Sequence, residues 1–135
     1  MHRLLKRILI SLGTLAVLFI AGALVFRWME RGLSDLVATE IEDVDLAAVE
    51  DGVYEGSYTR LPVSATVRVT VVDHAIATVE IVEHVNGQGA DGEAVVDAVI
   101  AENSLAVDAI AGATYSSKVI LLAIRDALVA GDRIE

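Results

Sequence analysis

The chain has 135 residues, a formal net charge of −10, 55% hydrophobic residues and no cysteine. That length holds one small domain plus one further element. The missing cysteine excludes disulfides, a lipidated cysteine anchor, thiolate metal sites and cysteine catalysis, and the acidity excludes a nucleic-acid partner, which would need a basic patch.

Ile8 to Phe26 is an uncharged apolar run, long enough to cross the ~30 Å hydrocarbon core of a bilayer as a helix. Arg3, Lys6 and Arg7 precede it, Arg27 and Arg31 follow it, and Trp28 stands where an interfacial aromatic anchor belongs. Residues 1–7 therefore read as a cytoplasmic tail and residues 8–28 as a transmembrane anchor, with the remainder extracytosolic. Ala21-Gly22-Ala23 also fits a signal-peptide cleavage site. The apolar run continues past it through Leu24, Val25 and Phe26, which favours a retained anchor.

Residues 29–50 read as an acidic spacer, with Ser34 as the cap of a short helix. Asp35, Glu40, Glu42, Asp43, Asp45 and Glu50 are interleaved with Leu, Val and Ile. No paired-ligand spacing is evident, so these acids form a solvated face rather than a metal site.

A domain over 51–131 follows. Val53 to Arg60 is predicted to be a strand broken by Gly56. Ala65, Val67, Val69 and Val71 alternate with Thr66, Arg68 and Thr70, which predicts a strand with one buried face. Asp73-His74-Ala75 supplies a tight connection to a second strand from Ile76 to Glu83, with Ala77, Val79 and Ile81 facing inward. Val85-Asn86-Gly87-Gln88-Gly89 is a loop leading into the next helix, in which Gly87 and Gly89 also have the form of glycines that let backbone approach a ligand. Ala90 to Glu102 is a helix with Ala94, Val95, Ala98 and Val99 on its apolar side. Ser104 to Val107 is a short extended piece. Ser116 to Ala130 is a helix with Ile120, Ile124, Ala127 and Leu128 at helical spacing, ended by Gly131. The fold class is α+β: a small antiparallel sheet packed with helices, preceded by one N-terminal transmembrane helix.

Chemistry concentrates in Asp108-Ala109-Ile110-Ala111-Gly112-Ala113-Thr114-Tyr115-Ser116-Ser117. Gly112 takes a positive φ at little cost, and with Ala113 lets backbone approach a bulky group. Thr114, Ser116 and Ser117 place hydroxyls at a helix start, where unpaired N–H groups and the helix dipole favour an anion. A plain helix cap uses the same residues. His84 beside the glycine loop is a candidate ligand contact, His74 a turn residue. Tyr54 and Tyr58 are packing residues, and Tyr115, next to Thr114, is a candidate ring contact. No catalytic triad or metal cluster can be assembled.

The run Asp108 to Ala113-Thr114, followed by Tyr115-Ser116-Ser117-Lys118, resembles the signature of the FMN-binding domain family. Asp51 to Tyr58 is similar to that family's opening strand and Val67 to His84 to its central hairpin, so the likeness spans roughly residues 45–130. Its relatives include flavin-carrying subunits of sodium-pumping NADH:quinone reductases and of Rnf electron-transfer complexes. The resemblance implies FMN as cofactor, joined to Thr114 through a phosphoester by an FAD-dependent flavin transferase. It gives Asp108, which opens the motif, a part in the flavinylation site, and it implies electron carriage from a membrane donor to an extracytosolic acceptor. With FMN as the ligand, Gly112, Ala113, Tyr115, Ser116, Ser117 and His84 are its candidate contacts, a structural role standing as the alternative for His84. Ala111 stands where the family usually has Ser or Thr. Reversible FMN binding and a flavin-free adaptor role are the alternatives.

Overall fold

A computed structural model of the chain describes residues 1–87 and 89–134; Gln88 of the predicted glycine loop lies outside them. The chain divides into two compact units, Met1–Gly32 and Leu33–Glu135. The first belongs to helix α1 (His2–Ala38), which is long and apolar enough to cross a membrane and whose most apolar stretch makes no burying contact with protein. The helix runs through Ser34 without the expected new cap.

The second unit is built on a four-stranded antiparallel sheet in the order β3-β2-β1-β4. Its strands are β1 (Gly52–Arg60), β2 (Val63–Val72), β3 (Ala75–Val85) and the short β4 (Asp132–Arg133). Helices α2 (Val95–Glu102) and α3 (Thr114–Ala130) complete it. Alternation in β2 holds as predicted: Val63, Ala65, Val67, Val69 and Val71 are buried. Against them pack Val119, Ile120, Ala123, Ile124 and Ala127 of α3, and Val95 and Val99 of α2. Each such valine or isoleucine side chain stabilises the fold by roughly 1.5–3 kcal/mol on burial.

The β2–β3 connection is a two-residue turn in which Asp73 (φ 53°) and His74 (φ 58°) are both left-handed. That twist matches the twist of the strands it joins. Asp51 clamps the turn, its carboxylate accepting the N–H groups of Asp73 at 3.0 Å and His74 at 3.2 Å. These bonds to the charged form hold the Asp51 carboxyl below its ordinary value.

Four local expectations are corrected. β1 is continuous, because Gly56 marks not a break but the crossing of α3: a Cβ there would lie 2.5 Å from the Ala123 carbonyl oxygen and 2.6 Å from Ala127 Cα. Ala77 is exposed, since Ile76 pairs with Val71 and Thr78 with Thr70, leaving Ala77 as an extra residue that resets the alternation. Val82 is a second unpaired residue of the same kind. The predicted helix from Ala90 begins as a tight 3-10 segment, Ala90–Ala94, so its buried set shifts to Val95, Val96 and Val99 while Ala94 is exposed.

The predicted spacer is no free linker either. Leu36, Leu46 and Val49 are buried in the domain core, with Ile41 and Val44 packed against it. Lys118 Nζ donates to the Thr39 carbonyl at 2.7 Å, and Arg125 pairs with Glu42 at 3.0 Å. Asp43 accepts from Ser104 Oγ at 2.6 Å and from the Leu105 N–H at 2.9 Å, bonds that lower its carboxyl below the ordinary value. The acids of this stretch thus pin loops rather than only face solvent.

Candidate functional site

Helix α3 opens where the predicted small-residue turn ends. Gly112 has φ +81°, and nothing stands within 4 Å of where its Cβ would be, so glycine serves the backbone conformation there and not a close contact. The first intrahelical bond of α3 runs from Ser117 N–H to the Ala113 carbonyl at 3.0 Å. The amides of Thr114, Tyr115 and Ser116 precede that bond, and Ala113 offers no side-chain cap. No acidic residue occupies the first turn, so the positive end of the helix dipole is not neutralised there.

A cavity of about 390 Å³ lies at this helix start. Gly112, Ala113, Thr114, Tyr115 and Ser116 form one side of it, and Val37, Val63, Asn86 and Gly89 the other. Five of the eight cofactor contacts named from the sequence are therefore brought together. Ser116 is 1% exposed yet reaches the cavity, because Gly89 and Gly92 leave room for it. A Cβ on Gly89 would collide with Ser116 Oγ, and one on Gly92 would lie 2.6 Å from Ser116 Cβ.

Three of the named residues stand apart from the wall. Ser117 is fully buried; its hydroxyl donates to the Ala113 carbonyl at 2.9 Å and accepts the Ile110 N–H at 3.0 Å. It shapes the loop from beneath. Asp108 is exposed and outside the wall. His84 is buried behind Asn86, with Nδ1 3.3 Å from Asn86 Nδ2 and 2.9 Å from Glu93 Oε1. Val37, Val63 and Asn86 carried no sequence signal for this site, since two are ordinary apolar residues and the third reads as a loop residue; Gly89 did, as a glycine able to admit a ligand.

The cations after Gly32 are all engaged elsewhere. Arg60 pairs with Asp35, Arg68 with Glu55 and Glu80, Arg125 with Glu42 and Arg133 with Glu50, while Lys118 holds the Thr39 carbonyl. Among the described residues that line the cavity there are backbone N–H groups and hydroxyls to meet an anion, and no side-chain cation.

The profile of the FMN-binding domain family matches residues 63–129. The chain matches no curated protein and no solved structure. The matched span runs from the first residue of β2 through most of α3 and holds every cavity-lining residue except Val37. The residues fit the cofactor: the volume lies in the ordinary range for small-molecule sites. The amides at the helix start suit a phosphate, and Tyr115, Val37 and Val63 offer apolar surface to a ring. Through residues 63–129 the chain belongs to the FMN-binding domain family, and FMN is its cofactor.

Proposed function

We propose that this protein is a membrane-anchored, extracytosolic electron carrier with FMN joined to Thr114 through a phosphoester. The carrying observation is the position of Thr114 at the first residue of α3, in the cavity wall, beside amides that precede the first helical bond. In the attachment step the Thr114 hydroxyl attacks the FMN-side phosphorus of FAD on a flavin transferase. The Oγ1–P bond forms, AMP leaves, and the hydroxyl proton passes to solvent.

That no cation stands among the described lining residues supports the ester over loose binding. Free FMN ends in a phosphate monoester of about −1.5 to −2 charge at neutral pH, whereas the threonine-linked diester carries about −1. A site of amides and hydroxyls is suited to the smaller charge. Bound FMN supplies the redox chemistry. Around it, Tyr115 and Val63 cover apolar surface, Ser116 and Asn86 offer hydrogen bonds, and Gly112 gives the backbone the turn that leads into α3. Asp108 is placed outside the wall, where contact with the transferase rather than with FMN fits its exposure.

Helix α1 supports the anchored reading by its length and apolar character, and the charges that flank it in the sequence favour residues 1–7 cytoplasmic and the domain outside. A membrane electron donor and an extracytosolic acceptor are the partners implied. Reversible FMN binding is the second reading, favoured by Ala111, which offers no hydroxyl beside Gly112.

The test is intact mass and in-gel flavin fluorescence of the chain co-expressed with a flavin transferase, beside Thr114→Ala. The expected result is an adduct on the order of 440 Da that the variant lacks. An unmodified mass despite an active transferase refutes the covalent reading. Flavin released on denaturation then supports reversible binding, and no flavin at all an adaptor.

A further inference from the structure

The cavity wall at Asn86 is backed by a histidine whose hydrogen bonds cannot all exist in one tautomer. The His84 side chain is 2% exposed, and its Nε2 is buried with no hydrogen-bond partner among the described residues. Its Nδ1 lies 2.9 Å from a Glu93 carboxylate oxygen and 3.3 Å from the Asn86 amide nitrogen. A carboxylate only accepts and an amide NH₂ only donates, so a single ring nitrogen satisfies one or the other.

With a proton on Nδ1, the ring donates to Glu93, and Asn86 has no reason to point its NH₂ at the ring. The amide then turns its carbonyl inward and its donors toward the cavity. Without that proton, Nδ1 accepts from Asn86, and the amide carbonyl faces the cavity instead. Asn86 is part of the wall, so the alternative is visible to whatever occupies the site. Glu93 is well placed to choose between the two states: it sits in the 3-10 segment Ala90–Ala94 and is itself half-exposed.

We propose that Glu93, by holding a proton on His84 Nδ1, fixes the Asn86 amide with its donors toward the cavity, and so favours the oxygen-rich phosphate and carbonyl groups of FMN. His84 and Glu93 are positioning residues acting through Asn86. The proposal rests on the cavity being the FMN site, and its test separates the two.

The full-length chain, unmodified and in detergent micelles, is studied by ¹⁵N NMR of the histidine rings. The His84 signals are identified by their loss in His84→Asn. The expected wild-type state is the Nδ1–H tautomer. Glu93→Ala, a change at an exposed side chain, moves it to Nε2–H, shifts the Asn86 side-chain amide signals, and weakens FMN binding measured by calorimetry about tenfold. Glu93→Gln, which keeps an acceptor oxygen, restores the tautomer and the affinity. An Nε2–H wild type, an unmoved tautomer in Glu93→Ala, or a moved tautomer with unchanged FMN affinity overturns the proposal. A wild type that binds no free FMN overturns the FMN part of the proposal and leaves the covalent reading, which needs a transferase, to its own test. Concerted shifts of ring and amide in Glu93→Ala then still support the coupling of Glu93, His84 and Asn86.

Discussion

Replacing Gly92 with alanine would place a methyl carbon 2.6 Å from Ser116 Cβ, 3.0 Å from the Ser117 nitrogen and 3.2 Å from the Ala113 carbonyl oxygen. Carbon atoms rest about 3.5–4.0 Å apart, so the first turn of α3 must retreat by roughly 1 Å. Two of the three obstacles are backbone atoms, and Ser116 is buried, so no side-chain rotation relieves the contact. The retreat costs about 1–3 kcal/mol of stability, the usual range for an overfilled core. It also moves Thr114 relative to the opposite wall at Asn86 and Gly89. A displacement of that size at a reacting group lowers rates by roughly 100-fold. The assay is the initial rate of FMN attachment by a flavin transferase, followed by fluorescence, with chemical denaturation of the same samples. The double variant Gly92→Ala, Ser116→Gly removes the nearest obstacle and should recover much of the lost stability, an interaction a double-mutant cycle measures. Attachment at the wild-type rate with unchanged stability in Gly92→Ala would refute the packing argument and the placement of Thr114 built on it.

Gly56→Ala should destabilise more than Gly92→Ala, by about 3 kcal/mol or more, because the new methyl meets α3 backbone at Ala123 and Ala127 in mid-helix; a loss under about 1 kcal/mol in urea denaturation would contradict the close strand–helix crossing. Gly112→Ala has open space around its methyl and should cost only the left-handed backbone penalty of about 1–2 kcal/mol, read in the same assay. Asp43 and Asp51 have carboxyls lowered from the ordinary value of 3.8. Their bonds therefore stabilise the fold fully above that value, and the stabilisation is lost as pH falls through the lower folded values. Denaturation midpoints of Asp43→Asn and Asp51→Asn, measured from pH 7 down to 3, should decline less steeply than the wild type; parallel curves would show that these bonds do not couple folding to protons.

Much of the architecture was legible because β2 and α3 each bury one face at a clean period. Val67, Val69 and Val71 alternate, Ile120, Ile124 and Ala127 recur at helical spacing, and tertiary packing reinforces what the pattern says. Gly112 was legible for a local reason, its need for positive φ. Gly56 was not, because a glycine forced by a helix crossing looks the same in sequence as one that interrupts a strand. The extra residues Ala77 and Val82 were hidden for a related reason: a one-residue slip reverses inside and outside, and small or β-branched residues tolerate both. At the site, the contiguous motif placed Thr114 and its neighbours. The opposite wall comes from distant parts of the chain, Val37, Val63 and Asn86, brought together only by the sheet register and by the segment before it. Ser117 lies beneath the wall, and the sequence could not tell that place from one in it, since a hydroxyl at a helix start serves a loop amide as readily as a ligand.

The burial of Leu36, Leu46 and Val49 decides where this protein can be cut. A soluble version starting at residue 51, at the apparent onset of the β-sheet, would strip three apolar side chains from the core and leave the Asp43 pins on Ser104 and Leu105 missing. A version limited to residues 63–129 would lose β1 as well, and with it the strand that pairs with β2 from Val63 to Val71. Severing the chain near Gly32 keeps the second compact unit whole, including Val37 on the cavity wall. A protease acting on the intact protein should respect the same boundary, leaving the segment that precedes the sheet attached to the fragment it completes.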